Sequence, residues 1–211
     1  MNVKEINEAL IRGETLNPGI FPHLDDLKGE PYVFTMDFGL EVLPEKPGLI
    51  LIRGARQYGK STWLEQQLKK TIINYGPGSA FYLNGDEIVN YKALADDIRD
   101  LVSLFNPQRK VWRLFIDEIT AIQNWQRGLK RLIDAGELKR VLIITTGSKA
   151  VDLRHGTERL PGRKGKLDRT NYYFTPLAYA EFKRVCGGRF AAFPLRAHLL
   201  PSGSPVASSE L

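Results

Sequence analysis

With one cysteine, Cys186, the chain has no second thiol for an internal disulfide, so a disulfide-stapled fold is excluded. Its three histidines, His23, His155 and His198, stand alone, and no C-x₂-C or H-x₃-H spacing offers a metal-ligand set. No apolar run approaches the roughly 18 residues of a membrane-spanning helix, so membrane insertion is not expected. The first residues, "MNVKEINEALIRGETL", mix acids with bases and contain no apolar signal core. A cytoplasmic protein is the expectation these absences leave.

What is present is an ordinary globular composition, 43% hydrophobic and 26% charged. A length of 211 residues suits one domain with an appendage. Charge is unevenly placed. Residues 1–105 carry 11 Lys/Arg against 15 Asp/Glu, and residues 106–211 carry 19 against 9. The second half is therefore strongly basic, which fits an anionic partner as well as a solvated surface.

Short apolar runs alternate with amphipathic ones. Strands are predicted over 48–54, 79–87, 111–118, 140–148 and 171–177. Between them, Leu64, Leu68 and Ile72 share one helical face, as do Leu94, Ile98, Leu101 and Phe105. A third helix is predicted over 121–136, using Trp125, Leu129, Leu132 and Ile133, with Gly136 as its C-terminal stop. Trp63, Trp112 and Trp125 fall inside these elements and read as packing residues. Strand–helix alternation of this kind predicts an α/β fold with a mainly parallel sheet and helices on both faces. Residues 1–35 read as an N-terminal arm holding a short helix in "FPHLDDLKGEPY", residues 36–185 as the core, and residues 186–211 as a poorly ordered tail.

The densest chemistry lies in "LIRGARQYGKSTWL". Gly54-Ala55-Arg56-Gln57-Tyr58-Gly59-Lys60-Ser61 fits G-x-x-x-x-G-K-[ST]. Glycines at both ends let backbone N–H groups converge on phosphate oxygens, and a helix opening near Lys60 aims its positive end at them. Phosphate binding is predicted for Gly54 through Thr62. Lys60 is assigned to the β- and γ-phosphates and the Ser61 hydroxyl to Mg²⁺.

A second constellation closes the third strand. In "LFIDE", Asp117 is placed to hold Mg²⁺ and Glu118 to polarise an attacking water. Thr146 and Ser148, in "TTGS" at the end of the fourth strand, are both candidates to orient that water or sense the γ-phosphate. Asn84 closes the second strand and is a candidate restraint on Glu118. From Lys149 to Arg169 the chain holds seven Lys/Arg and His155. This cluster fits a solvated loop, DNA or RNA phosphates, or an arginine finger in the same or a neighbouring subunit. Arg163 in "LPGR" is the first choice for that finger.

"LIRGARQYGKSTWL", "LFIDEITAIQNWQRGLKRLIDAG", "VLIITTGSKAVDL", "ERLPGRKGK" and "YYFTPLAYAEF" occur in this order. The set resembles the prokaryotic AAA-type ATPases of the AAA+ superfamily allied to the STAND branch, over about residues 20–185. The resemblance implies a P-loop NTPase three-layer α/β/α sandwich with strand order 5-1-4-3-2. It also implies ATP as the nucleotide and hydrolysis coupled to a conformational or regulatory task. It makes Lys60 and Ser61 the Walker A pair, Asp117 and Glu118 the Walker B pair, and Thr146-Gly147-Ser148 the sensor strand. Gly162-Arg163 corresponds to the family's "GR" pair, and a homo-oligomer is an implied state. Members usually continue from "PL…EF" into a helical lid and a winged-helix module, and the residues after 186 are not expected to form either. A nucleotide-binding switch with negligible turnover is the alternative expectation.

Overall fold

The computed structural model describes residues 1–148, 162, 165 and 167–187. Five strands form one parallel sheet: β1 (Gly48–Arg53), β2 (Ala80–Asn84), β3 (Trp112–Asp117), β4 (Val141–Gly147) and β5 (Asn171–Tyr173). Their spatial order is β2-β3-β4-β1-β5, the predicted 5-1-4-3-2. The described helices are α1 (Val3–Arg12), α2 (Pro22–Asp26), α3 (Lys60–Tyr75), α4 (Tyr91–Leu104), α5 (Trp125–Asp134) and α6 (Tyr179–Cys186).

Both faces of the sheet are buried, which is why its strands read as continuous apolar runs. Successive side chains go to opposite faces. Leu49, Leu51, Leu114, Ile116 and Ile143 pack with α4 and α5. Ile50, Ile52, Phe115, Leu142 and Ile144 pack with α3 and with residues preceding β1. Ile6, Ala9, Leu10, Ile20 and Phe21 are buried in this second cluster, so residues 1–35 help to build the core. Asn7 on α1 accepts from the Tyr82 N–H (2.8 Å) and donates to the Tyr82 carbonyl (2.8 Å). It thereby covers part of the free edge of β2. Arg113 is buried beneath α3, donating to Thr71 (3.0 Å) and to the carbonyls of Leu43 (3.0 Å) and Pro44 (3.2 Å).

Element ends differ from the sequence pattern for local reasons. β2 stops at Asn84, whose side chain accepts from the Asp86 N–H (3.1 Å) and caps a 3₁₀ turn over Gly85–Glu87. β5 is only three residues long. Its last pairing is the Phe174 N–H to the Arg53 carbonyl (2.7 Å), and Pro176, two residues on, has no N–H to give. α5 begins at Trp125, after a 3₁₀ turn over Ile119–Ala121 and a left-handed Asn124 (φ 56°). Its end follows the prediction, with Gly136 at φ 76° and its N–H on the Ile133 carbonyl (3.0 Å). Most of the tail, residues 188–211, and most of the basic cluster, including Arg163, lie outside the described residues.

Candidate functional site

The site forms at the carboxyl ends of β1, β3 and β4, the edge of an open parallel sheet where ligands bind. The loop from Gly54 to Gly59 joins β1 to α3. Gly54 is buried against β5. A Cβ there would stand 2.8 Å from the Phe174 carbonyl oxygen, so glycine is required for the loop to leave the sheet. Ala55, Arg56, Gln57 and Tyr58 are exposed along the crest. Gly59 is the N-cap of α3 in the left-handed region (φ 88°), where other residues are strained. No side chain caps the first turn of α3, so its N–H groups are available to an anion.

Lys60 is buried, 4% exposed, at the base of this cradle. Its Nζ donates to the Ala55 carbonyl (2.7 Å) and stands 3.8 Å from Glu118 Oε1. Burial pushes the Lys60 ammonium pKa down, while the charges of Glu118 and Asp117 oppose that shift. Ser61 and Thr62 are half-buried in the first turn of α3.

β3 delivers Asp117, buried beside Thr146 of β4 because Ile116 pairs with Thr145 in the parallel register. Thr146 Oγ1 donates to Asp117 Oδ1, which also accepts from the Glu118 N–H (3.1 Å). Glu118 itself is left-handed (φ 44°), a rare state for a residue with a side chain. Its Oε2 accepts from the Ser148 N–H (3.1 Å) and from Ser148 Oγ (3.0 Å). Arg56 Nε lies 3.5 Å from the same Ser148 Oγ.

The structure thus brings Lys60, Asp117, Glu118, Thr146 and Ser148 together, and it separates two residues the sequence left as alternatives. Thr146 engages Asp117, and Ser148 engages Glu118. Asn84 does not hold Glu118. Its side chain is spent on Asp86 and on Glu87 (3.0 Å), because the 3₁₀ turn needs a cap. His23, unremarkable in sequence, meets Glu65 Oε1 (2.6 Å), while the Leu24 N–H donates to Glu65 Oε2 (3.1 Å). This ties α2 to α3 one turn past Lys60. Burial raises the Glu65 carboxyl pKa, and His23 opposes it. Two residues 42 positions apart carry no sequence signal for such a pairing.

Hard oxygen donors are what Mg²⁺ takes, and the Ser61 hydroxyl and Asp117 carboxylate are of that kind. Among the described residues no group of three or more His, Cys, Asp or Glu gathers as a metal cage. A site completed by phosphate oxygens and water does not need one.

Fold and loop together define a P-loop α/β nucleotide-binding core of the ATPase type. The chain belongs to the AAA domain family, whose model matches residues 46–183. It is 32% identical over 117 residues to an uncharacterised protein of Methanocaldococcus jannaschii, MJ1637, covering 54% of this chain and 24% of that one. It is 26% identical over 150 residues to a second, MJ1544, covering 71% and 31%. The chain therefore spans about a quarter to a third of the curated relatives it matches. Among solved structures, Cdc6p from Pyrobaculum aerophilum aligns with TM-score 0.44 and 16% identity, over 82% of this chain and 48% of that one. The Aeropyrum pernix Orc1 protein in complex with DNA aligns with TM-score 0.47 and 17% identity, over 88% and 49%. No helix among the described residues is long and apolar enough to cross a membrane.

Proposed function

We propose that this chain binds ATP and hydrolyses it to ADP and phosphate, with Mg²⁺, as the motor of a conformational or regulatory task. The observation that carries the reading is the approach of Lys60 to Glu118, 3.8 Å apart, over the uncapped start of α3. In this reading the backbone of Gly54 through Gly59 cradles the phosphates, and Lys60 balances the charge of the β- and γ-phosphates. Ser61 and Asp117 hold Mg²⁺, which when bound neutralises charge on the β- and γ-phosphate oxygens. Lys60 leaves Glu118 Oε1 for the phosphates. Oε1 is then free to accept a proton from water as that water attacks the γ-phosphorus in line, expelling ADP. Ser148 fixes the other carboxylate oxygen and so aims the base, and Arg163 supplies positive charge to the γ-phosphate.

The test is Glu118→Gln. Hydrolysis should fall about 10²–10⁴-fold, the usual worth of a general base. Binding of ATP with Mg²⁺ should stay within a few-fold of native. A variant that releases phosphate at the native rate overturns the assignment. The second reading, a nucleotide-binding switch with negligible turnover, is favoured by one observation. Both Glu118 oxygens already face protein groups, Ser148 and Lys60. Comparing nucleotide affinity with turnover in one preparation separates the two readings. Tight binding with turnover no faster than that of Glu118→Gln selects the switch.

A further inference from the structure

The phosphate loop carries a cation that its backbone cradle does not use. Arg56 sits on the exposed crest between Gly54 and Lys60. β1 and β4 are neighbours in register, with Arg53 beside Gly147, so the residues that follow these strands, Gly54 and Ser148, start side by side. The Arg56 side chain crosses toward Ser148, and its Nε stands 3.5 Å from Ser148 Oγ. Ser148 Oγ in turn lies 3.0 Å from Glu118 Oε2. The guanidinium is therefore carried to the Glu118 side of the cradle. At 3.5 Å its contact with Ser148 is long, so it places the side chain without spending it.

The rest of the guanidinium is uncommitted. Arg99 is held by Asp96 (2.9 Å) and Glu137 (2.8 Å), and Arg184 by Glu181 (2.6 Å). Among the described residues no Asp or Glu pairs with Arg56, and its two terminal nitrogens have no hydrogen-bond partner. Lys60 feels this charge. Burial lowers the Lys60 ammonium pKa most, Glu118 and Asp117 oppose that shift, and Arg56 adds to it. Two cations close enough to repel, one of them without a carboxylate, favour an anion in their reach. A guanidinium offers a planar fork that matches two oxygens of one phosphate group.

We propose that the side chain of Arg56 binds the γ-phosphate of ATP within its own chain, and that this contact tells ATP from ADP. The inference rests on the ATP-binding reading above and adds a residue to it. The backbone N–H groups of the loop serve phosphates that ATP and ADP share. A cation on the side of Glu118, the base assigned to attack at the γ-phosphorus, meets the phosphate that ATP alone carries. Arg56 and Arg163 then differ in effect. Arg163 is assigned to charge that develops during hydrolysis, and Arg56 to binding before it, so loss of Arg56 is read in affinity.

The experiment measures dissociation constants of the full chain, with Mg²⁺, for two ligands. One is ADP, and the other is an ATP analogue whose β- and γ-phosphorus are bridged by nitrogen, so that hydrolysis does not enter. Native chain should bind the analogue more tightly than ADP. Arg56→Gln should weaken the analogue about tenfold or more, the usual worth of hydrogen bonds to a charged group, and leave ADP within about twofold. Arg56→Lys should regain part of the loss, because it keeps the charge without the fork. Lys70→Gln removes an exposed charge further along α3 and should change neither constant. The unfolding midpoint of Arg56→Gln should stay native, since the side chain is exposed. The proposal is overturned if native chain binds the two ligands alike. It is also overturned if Arg56→Gln weakens both equally or neither, or if Lys70→Gln shows the same selective loss. A native chain that hydrolyses ATP while Arg56→Gln keeps the full preference overturns this proposal alone. A native chain that binds neither ligand overturns the ATP-binding reading with it.

Discussion

Glu118 holds a backbone conformation that costs a residue with a side chain about 1–3 kcal/mol. At φ 44° it persists because its surroundings over-determine it. Its N–H has two acceptors, Asp117 Oδ1 (3.1 Å) and Thr146 Oγ1 (3.0 Å), and its carboxylate has two donors from Ser148. Thr146 is the hinge of this arrangement, since it is fully buried and touches both acids. Replacing it with valine keeps the shape and removes the hydroxyl, leaving Asp117 short of a donor. Thr146→Val should therefore cost about 1–3 kcal/mol of stability by chemical denaturation. Under the proposed function it should also lower turnover more than ATP affinity. An unchanged unfolding midpoint would remove Thr146 from this role. Lys60, Ser61, Asp117 and Glu118 are legible as a linear spacing with an apolar strand before each pair. The Thr146–Asp117 bond is not, because it depends on which residues of β3 and β4 lie side by side.

At the scale of elements, α1 is a helix that the reading of residues 1–35 as an arm did not predict, although its cap is written in the sequence. Asn2 accepts from the Glu5 N–H (2.9 Å), and Glu5 Oε2 accepts from the Asn2 N–H (2.9 Å). That reciprocal cap is written in sequence as Asn-x-x-Glu, with Ile6, Ala9 and Leu10 at helical spacing behind it. Nothing in the order of residues says that the polar Asn7, on the buried side of this helix, meets the Tyr82 backbone. Asn7 acts as a surrogate strand, giving β2 a donor and an acceptor where its edge would otherwise be open. Asn7→Ala should cost about 1–3 kcal/mol, the price of leaving part-buried backbone groups unpaired. It should also speed hydrogen exchange at the Tyr82 amide relative to Phe81. Native protection of Tyr82 in the variant would show that the edge needs no such partner. The end of β2 and the start of α5 were obscured in the same way. Asn84 and Asn124 both mark local turns, a capped 3₁₀ turn and a left-handed corner, inside runs whose periodicity continues past them.

For the whole molecule, the parallel sheet and its order follow from alternating apolar and amphipathic runs together with the family resemblance. How copies meet is a separate question, and charge bears on it. A chain with 15 acids against 11 bases in residues 1–105, and 19 bases against 9 acids after, is polarised along its length. Acidic surface on one copy can meet basic surface on another, and a neighbour's arginine is the contact that would bear on catalysis. If Arg163 reaches a neighbour's γ-phosphate, turnover belongs to the assembly rather than to the single chain. Phosphate release per chain, at saturating ATP and Mg²⁺, should then rise with protein concentration and level off once association is complete. Mixing makes the same point with fixed total protein. Glu118→Gln keeps Arg163 but lacks the base, and Arg163→Ala keeps the base but lacks the finger. An arginine finger is worth about 10³–10⁵ in rate, so each variant alone should be nearly silent. Mixed, they create contacts where an intact base receives an intact arginine from the other variant, and activity should return. Specific activity that is flat with concentration, with no gain on mixing, would place all of the catalytic charge within one chain.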